Sequence, residues 1–183
     1  MVIAAKGFNT YLLFFMALLL ASGCQTPEKK ASKRLTVLNV HLESRDLPEN
    51  ETQISVSREH PFLLSVQKEP FITQNDVEQA KVVDVVGGFA ISIKFDRRSS
   101  WLLEQYSSGN FGKHFAIFSQ FVMPPDEKLN KGRWLAAPRI NRRISNGVLV
   151  FTPDATREEA EQIVSGLNNL AKKLKKAPKP ANK

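Results

Sequence analysis

Cysteine is all but absent: Cys24 is the only one in 183 residues. The chain therefore has no intrachain disulfide and no cysteine-based metal cluster. Histidine is sparse as well. His41, His60 and His114 are far apart and lack the i, i+4 pairing that sets two ligands on one helix face, so the sequence predicts no metal site. Long hydrophobic runs are missing. The run Tyr11–Ala21 has eleven residues, about half of the roughly 20 that a spanning helix needs. Nucleophile motifs are lacking too, because Ser119, Ser145 and Ser165 stand outside any G-x-S-x-G elbow. Gly87-Gly88 precedes a strand rather than a helix, so it reads as a turn or bulge and not a phosphate loop. These absences predict no catalytic residue, no cofactor and no small-molecule substrate.

What is present begins with a targeting segment. Lys6 supplies a positive start, Tyr11–Ala21 the apolar stretch, and Ala21-Ser22-Gly23 the small residues before Cys24. Leu20-Ala21-Ser22-Gly23-Cys24 resembles a bacterial lipobox, and the resemblance implies that Cys24 becomes the lipidated first residue of the mature protein. Gln25, not aspartate, follows it. By resemblance to the lipoprotein sorting rule, this implies the periplasmic face of the outer membrane in a Gram-negative host. The expected organisation is a signal peptide over 1–23, a tether over 24–34, a folded domain over 35–171 and a basic disordered tail over 172–183.

The net charge of +8 suggests nucleic acid until it is located. Residues 172–183 hold six lysines and no acid, and residues 24–34 hold four basic residues and Glu28. The body between them, Leu35–Ala171, has 15 basic and 17 acidic residues. A slightly acidic body with basic ends predicts no nucleic-acid partner. On a lipid-anchored protein such ends suit an anionic membrane surface, at about 1 kcal/mol per basic residue. A solvated tail that aids solubility is the equal alternative.

Within the body, Phe89, Ile91, Ile93 and Phe95 alternate with small or polar residues, which predicts a half-buried strand. Ser99 or Ser100 is expected to cap a helix over Trp101–Ser108 that stops at Gly109. Phe115–Phe118 follows as a second buried strand. Leu35–Glu43, Ile54–Ser57, Phe62–Gln67 and Ala80–Val86 read as further strands, with one helical turn over Gln74–Gln79. Val122–Arg133 reads as a loop, Trp134–Pro138 as a short extended piece, and Asn146-Gly147 as a turn into a buried strand over Val148–Thr152. Thr156 and Glu159 have capping-box spacing, and Ala160, Ile163, Val164, Leu167, Leu170, Ala171 and Leu174 form an apolar helical stripe. The fold class expected is α+β: a mixed or antiparallel sheet packed on one face by two helices, ferredoxin-like or a related βαβ sandwich.

The run Glu69-Pro70-Phe71-Ile72-Thr73, then Ala80, Phe95-Asp96, Asn110-Phe111-Gly112-Lys113 and Ala116-Ile117, resembles the head region of the first periplasmic domain of the SecD/SecDF protein-export translocase. Pro138, Ile140, Ile144, Gly147 and Thr156-Arg157-Glu158-Glu159-Ala160 continue the likeness, which covers roughly Phe62–Leu170. It implies a fold and a habit of contacting exported polypeptides. No hydrophobic span follows Leu174 in this sequence, so proton-driven work is not carried over.

Arg133–Arg143 is the candidate partner surface. Trp134 stands among Arg133, Arg139, Arg142 and Arg143 on an otherwise acidic body, and tryptophan and arginine are enriched among interface anchors. The competing expectation is structural, with Trp134 covering a sheet edge and the arginines pairing with Asp126, Glu127 or Asp154. Two functions follow. One is a non-catalytic, lipid-anchored envelope module that binds an exported polypeptide or an envelope protein, by strand addition to an exposed edge. The alternative is an envelope enzyme, such as a cell-wall hydrolase, with a dispersed site.

Overall fold

In a computed structural model, residues 34–44, 50–123 and 130–176 are described. The segments expected as signal peptide and tether (save Arg34), Cys24 and residues 177–183 lie outside them, as do Asp126 and Glu127. Among the described residues, nine strands and two helices follow in the order β1 (Val37–Leu42), β2 (Glu51–Val56), β3 (Phe62–Gln67), β4 (Ile72–Thr73), β5 (Val77–Val85), β6 (Gly88–Phe95), α1 (Arg97–Gly109), β7 (Phe115–Val122), β8 (Asn130–Ala136), β9 (Val148–Phe151) and α2 (Arg157–Lys176). A 3-10 turn, Gln74–Asp76, joins β4 to β5.

The class is α+β, and every strand pairing is antiparallel. The strands divide into three sheets, in the orders β4-β1-β7-β8, β2-β3 and β5-β6-β9. The strand–helix–strand succession β6-α1-β7 is present, but its two strands belong to different sheets. Their apolar faces meet: Leu38, Val40, Phe115 and Ile117 from one sheet share a core with Ile91, Ile93, Phe95, Leu149 and Phe151 from the other. Leu103 of α1 and Ala160, Ile163 and Leu167 of α2 complete it. The far face of the four-stranded sheet is covered by the β2-β3 hairpin, whose Ile54, Val56, Leu64 and Val66 pack on Ala116.

Several local expectations change. Helix α1 begins at Arg97, and its cap is Asp96 rather than Ser99 or Ser100. The Asp96 carboxylate accepts the Ser99 N–H at 2.8 Å, while the Ser100 hydroxyl donates to the Phe95 carbonyl at 3.2 Å. An ionised carboxylate is as good a cap as a hydroxyl and also suits the positive helix end. Of the stretch expected as a loop, Val122–Arg133, the two described ends are strand: β7 runs to Val122, and β8 starts at Asn130 and pairs with it. Local alternation is weak in Asn130-Lys131-Gly132, and the hydrogen bonds come from a partner strand that only the fold supplies. Helix α2 passes the expected boundary at Ala171 and ends at Lys176, where lysines favour the negative helix terminus. Val148–Phe151 is buried only on alternate residues: Leu149 and Phe151 face the core, whereas Val150 is 49% exposed.

The Asn146-Gly147 turn stands as expected, and Gly147 is required there. Its φ is +67°, and a Cβ would lie 2.0 Å from Ser100 Oγ.

The two edges of sheet β5-β6-β9 differ. Helix α2 lies along β5, and its Asn168 side chain imitates a strand: Oδ1 accepts the Ala80 N–H at 2.9 Å and Nδ2 donates to the Ala80 carbonyl at 2.9 Å. Arg157 pairs with Asp84 further along. At the other edge, β9 has β6 on one side and, among the described residues, no strand on the other.

Candidate binding site

The arginine–tryptophan segment is divided by the fold. Along β8, Arg133 and Trp134 point to opposite faces, as consecutive strand residues must. Arg133 takes part in holding α2. Its Nη1 donates to Glu159 Oε1 at 3.2 Å, its Nη2 pairs with Glu159 Oε2, and its Nε donates to the Asp154 carbonyl at 3.2 Å. The guanidinium lies 5.3 Å from the centre of the Phe121 ring. Glu159 is the acid of the capping box foreseen from the sequence: it accepts the Thr156 N–H at 3.0 Å, and Thr156 Oγ1 accepts the Glu159 N–H at 3.2 Å. Burial alone would raise the Glu159 carboxyl, but the Arg133 guanidinium and the Thr156 N–H hold it below the ordinary range.

Trp134 is a strut between sheet and hairpin. It meets His41 edge-on at 5.2 Å and Phe118 at 5.4 Å between ring centres, and packs against the β2-β3 cluster. Burial lowers the pKa of His41, against the opposing pull of the Gln67 carbonyl, 2.8 Å from Nδ1, and of Glu69. The ring is therefore neutral near pH 7. Neither Arg133 nor Trp134 offers itself as a surface anchor.

Arg139, Arg142 and Arg143 are exposed. Arg139 donates from Nε to the Gly112 carbonyl at 3.2 Å, and Arg143 pairs with Glu104 of α1. Of the three acids expected for these arginines, Asp154 gives its carboxylate to Arg58 instead, at 3.0 Å, and Asp126 and Glu127 lie outside the described residues. Arg139, Arg142 and Arg143 line a groove of about 440 Å³ whose other wall is Val148–Val150. A second groove of about 750 Å³ shares Pro138 with it and continues past Phe151 between Leu135–Ala137 and the hairpin residues Val56 and Phe62.

The sequence did not reveal the feature these grooves flank. Phe95 N–H donates to the Gly147 carbonyl at 3.0 Å, and Ile93 and Ile91 lie opposite Leu149 and Phe151. The antiparallel ladder alternates, so Val148 and Val150 turn their N–H and C=O groups away from β6. The Asn146 side chain caps the Val148 N–H at 3.1 Å. Val150 has no main-chain partner on that side among the described residues. Val150, between two core residues, carries a weak signal for this: apolar in composition, it sits on the solvent face of the alternation.

The described residues thus form an antiparallel α+β domain in which helix α2 covers one edge of sheet β5-β6-β9 and no described strand covers the other. The model of the SecDF P1 head subdomain matches residues 48–171, and the chain belongs to that family. A solved structure of the membrane component SecDF that enhances protein export is similar in fold, with a TM-score of 0.53 at 19% identity over 81% of this chain and 70% of that one. A crystal structure of SecDF in a super-membrane-facing form gives a TM-score of 0.53 at 18% identity, over 80% of this chain and 21% of that one. No curated protein sequence matches the chain.

Proposed function

We propose that the chain is a non-catalytic, lipid-anchored envelope module that holds an extended stretch of an exported polypeptide, or of an envelope protein, against the outer edge of β9. Membership of the SecDF P1 head family supports a protein-export role. The observation that carries the reading is the outward N–H and C=O of Val150, set between two grooves. An added strand would satisfy those groups by main-chain hydrogen bonds, which recognise any extended segment, while the grooves take its alternate side chains. Arg139 and Arg142 at the groove mouth favour acidic side chains, since a guanidinium binds carboxylates through a planar fork. Lipidation at Cys24 would place the module on the membrane, at the periplasmic face of the outer membrane in a Gram-negative host.

The anchor and the edge are tested separately. Cys24→Ser is expected to abolish metabolic labelling by fatty acid and leave an unprocessed precursor; equal labelling of the variant rejects the anchor. For the edge, a photo-crosslinker at Arg142 in the native envelope is expected to capture a discrete polypeptide, and one at Val86, in the β5-β6 turn, is not. Val150→Pro removes one outward N–H and no ladder bond, and proline is tolerated on such an edge. It should keep the fold, by circular dichroism and melting temperature, yet lose the adduct. Undiminished capture with Val150→Pro, or equal capture at Val86, would reject strand addition.

A further inference from the structure

We propose that the C-terminal end of α2 and the incoming N-terminal segment form one basic face that lies on an anionic phospholipid surface. The inference rests on the membrane anchoring proposed for Cys24 and adds the side of the domain that faces the lipid.

In the sequence, the two basic ends are separated by the whole domain. The fold brings Arg34, at the end of the first, onto α2, which carries Lys172, Lys173, Lys175 and Lys176 of the second. The Asn169 side chain donates to the Arg34 carbonyl at 3.1 Å, and the Arg34 guanidinium donates to Gln162 Oε1 at 3.3 Å. Gly166 makes room for this strand entry, since a Cβ there would lie 2.1 Å from Thr36 Oγ1 and 2.9 Å from the Thr36 nitrogen. Gln162, Gly166 and Asn169 share one face of α2, and Lys173 and Lys176 continue it at helical spacing. The adjacent stripe, Asn168, Lys172 and Lys175, borders a groove with Lys94 and Glu78. Glu78 is already paired with Lys94 at 2.8 Å. Arg97 and Arg98 are exposed at the start of α1, a few residues beyond Lys94. The other acids of this end serve as caps: Asp76 accepts the Thr73 N–H at 2.7 Å and Asp96 caps α1.

The face is therefore strongly positive on a body that is otherwise slightly acidic. Leu174, 44% exposed among four lysines, adds an apolar group suited to the headgroup boundary. Chain length argues for the same occupant. Nine residues lie between Cys24 and Arg34, and the segment at full extension reaches on the order of 35 Å. A lipid on Cys24 thus keeps this face within a short distance of the bilayer. Beyond Lys176, Lys179 and Lys183 follow in the sequence and can only increase the attraction. One consequence is orientation: the basic face turns to the membrane and leaves the β9 edge, on the opposite side of its sheet from α2, free for a partner.

The test uses the mature chain from residue 24 with Cys24→Ser, so that no lipid contributes, and sedimentation with vesicles of phosphatidylcholine with or without one-third phosphatidylglycerol. Binding is expected on the anionic vesicles alone and is expected to vanish at high salt, where surface charges are screened. Lys172→Gln, Lys173→Gln, Lys175→Gln and Lys176→Gln combined should lower the partition coefficient at least about 100-fold with an unchanged melting temperature. Lys179→Gln with Lys183→Gln should retain most of the binding. No binding to anionic vesicles, equal binding to neutral ones, or full binding by the fourfold variant would overturn the proposal. Because the protein is unlipidated, these outcomes are independent of whether Cys24 carries a lipid, which the labelling experiment decides.

Discussion

Arg133→Ala is expected to destabilise the domain by about 3–5 kcal/mol, the cost of leaving a buried partner charge uncompensated. The Glu159 side chain is 7% exposed and that of Arg133 18%, so water reaches neither group freely. Removing the guanidinium takes both Arg133 hydrogen bonds from the Glu159 carboxylate at the point where α2 begins. On a domain of this size the melting temperature should fall by on the order of 10 °C. The pH dependence identifies the cause. In the intact protein the carboxyl is held below its ordinary value of 4.5, so its contribution is full above that pH and is lost as pH falls through the lowered value. In the variant, burial without the arginine raises that carboxyl, so protonation relieves the defect. The gap between the two proteins should therefore narrow as pH falls toward 4.5. Arg133→Ala combined with Glu159→Gln should recover part of the loss. A loss below about 1 kcal/mol, or a gap independent of pH, would show that the pair is not what fastens α2 to β8.

That pair also shows where reading the sequence stopped. Strands β1, β5, β6 and β7 and helix α2 were legible because their signals are local: alternation with period two, a capping box and a continuous apolar stripe. Arg133 and Trp134 were legible as unusual residues, but their faces were not. Strand β8 is recognisable only through its pairing with β7, and without the strand the opposite orientation of its neighbours has no meaning. Once β8 is in place, an arginine on the core side must find a carboxylate. Glu159 lies 26 residues away, and the sequence had already assigned it to a helix cap. The division into three sheets was illegible for the same reason, since β6 and β7 look alike along the chain and differ only in their partners. The edge of β9 follows from that division, so the surface proposed for binding lies beside the arginine segment. Arg139 and Arg142 are exposed, and among the described residues no acid pairs with them, which composition alone does not indicate.

The second large effect tests the core itself. Leu167→Ala should cost about 2–5 kcal/mol, with the upper half of that range expected. Leu167 is fully buried with Ile163 and Ala160 on the face of α2 that packs on β5, β6 and β7. Alanine is at least as good a helix former as leucine, so lost propensity contributes nothing and the cost is packing alone. How much of the cavity closes depends on the mobility of its walls, and here both are fixed. On one side Asn168, the next residue, is bonded twice to Ala80 of β5; on the other, Gly166 sits against Thr36 at the start of β1. The helix cannot slide toward the void without breaking the first contact or driving its backbone into the second. Leu174→Ala provides the comparison, because that side chain is 44% exposed on the same helix; it should change stability by less than about 0.5 kcal/mol. Chemical denaturation of the three proteins decides the matter: similar values for Leu167→Ala and Leu174→Ala would mean that the stripe of α2 is not the core face.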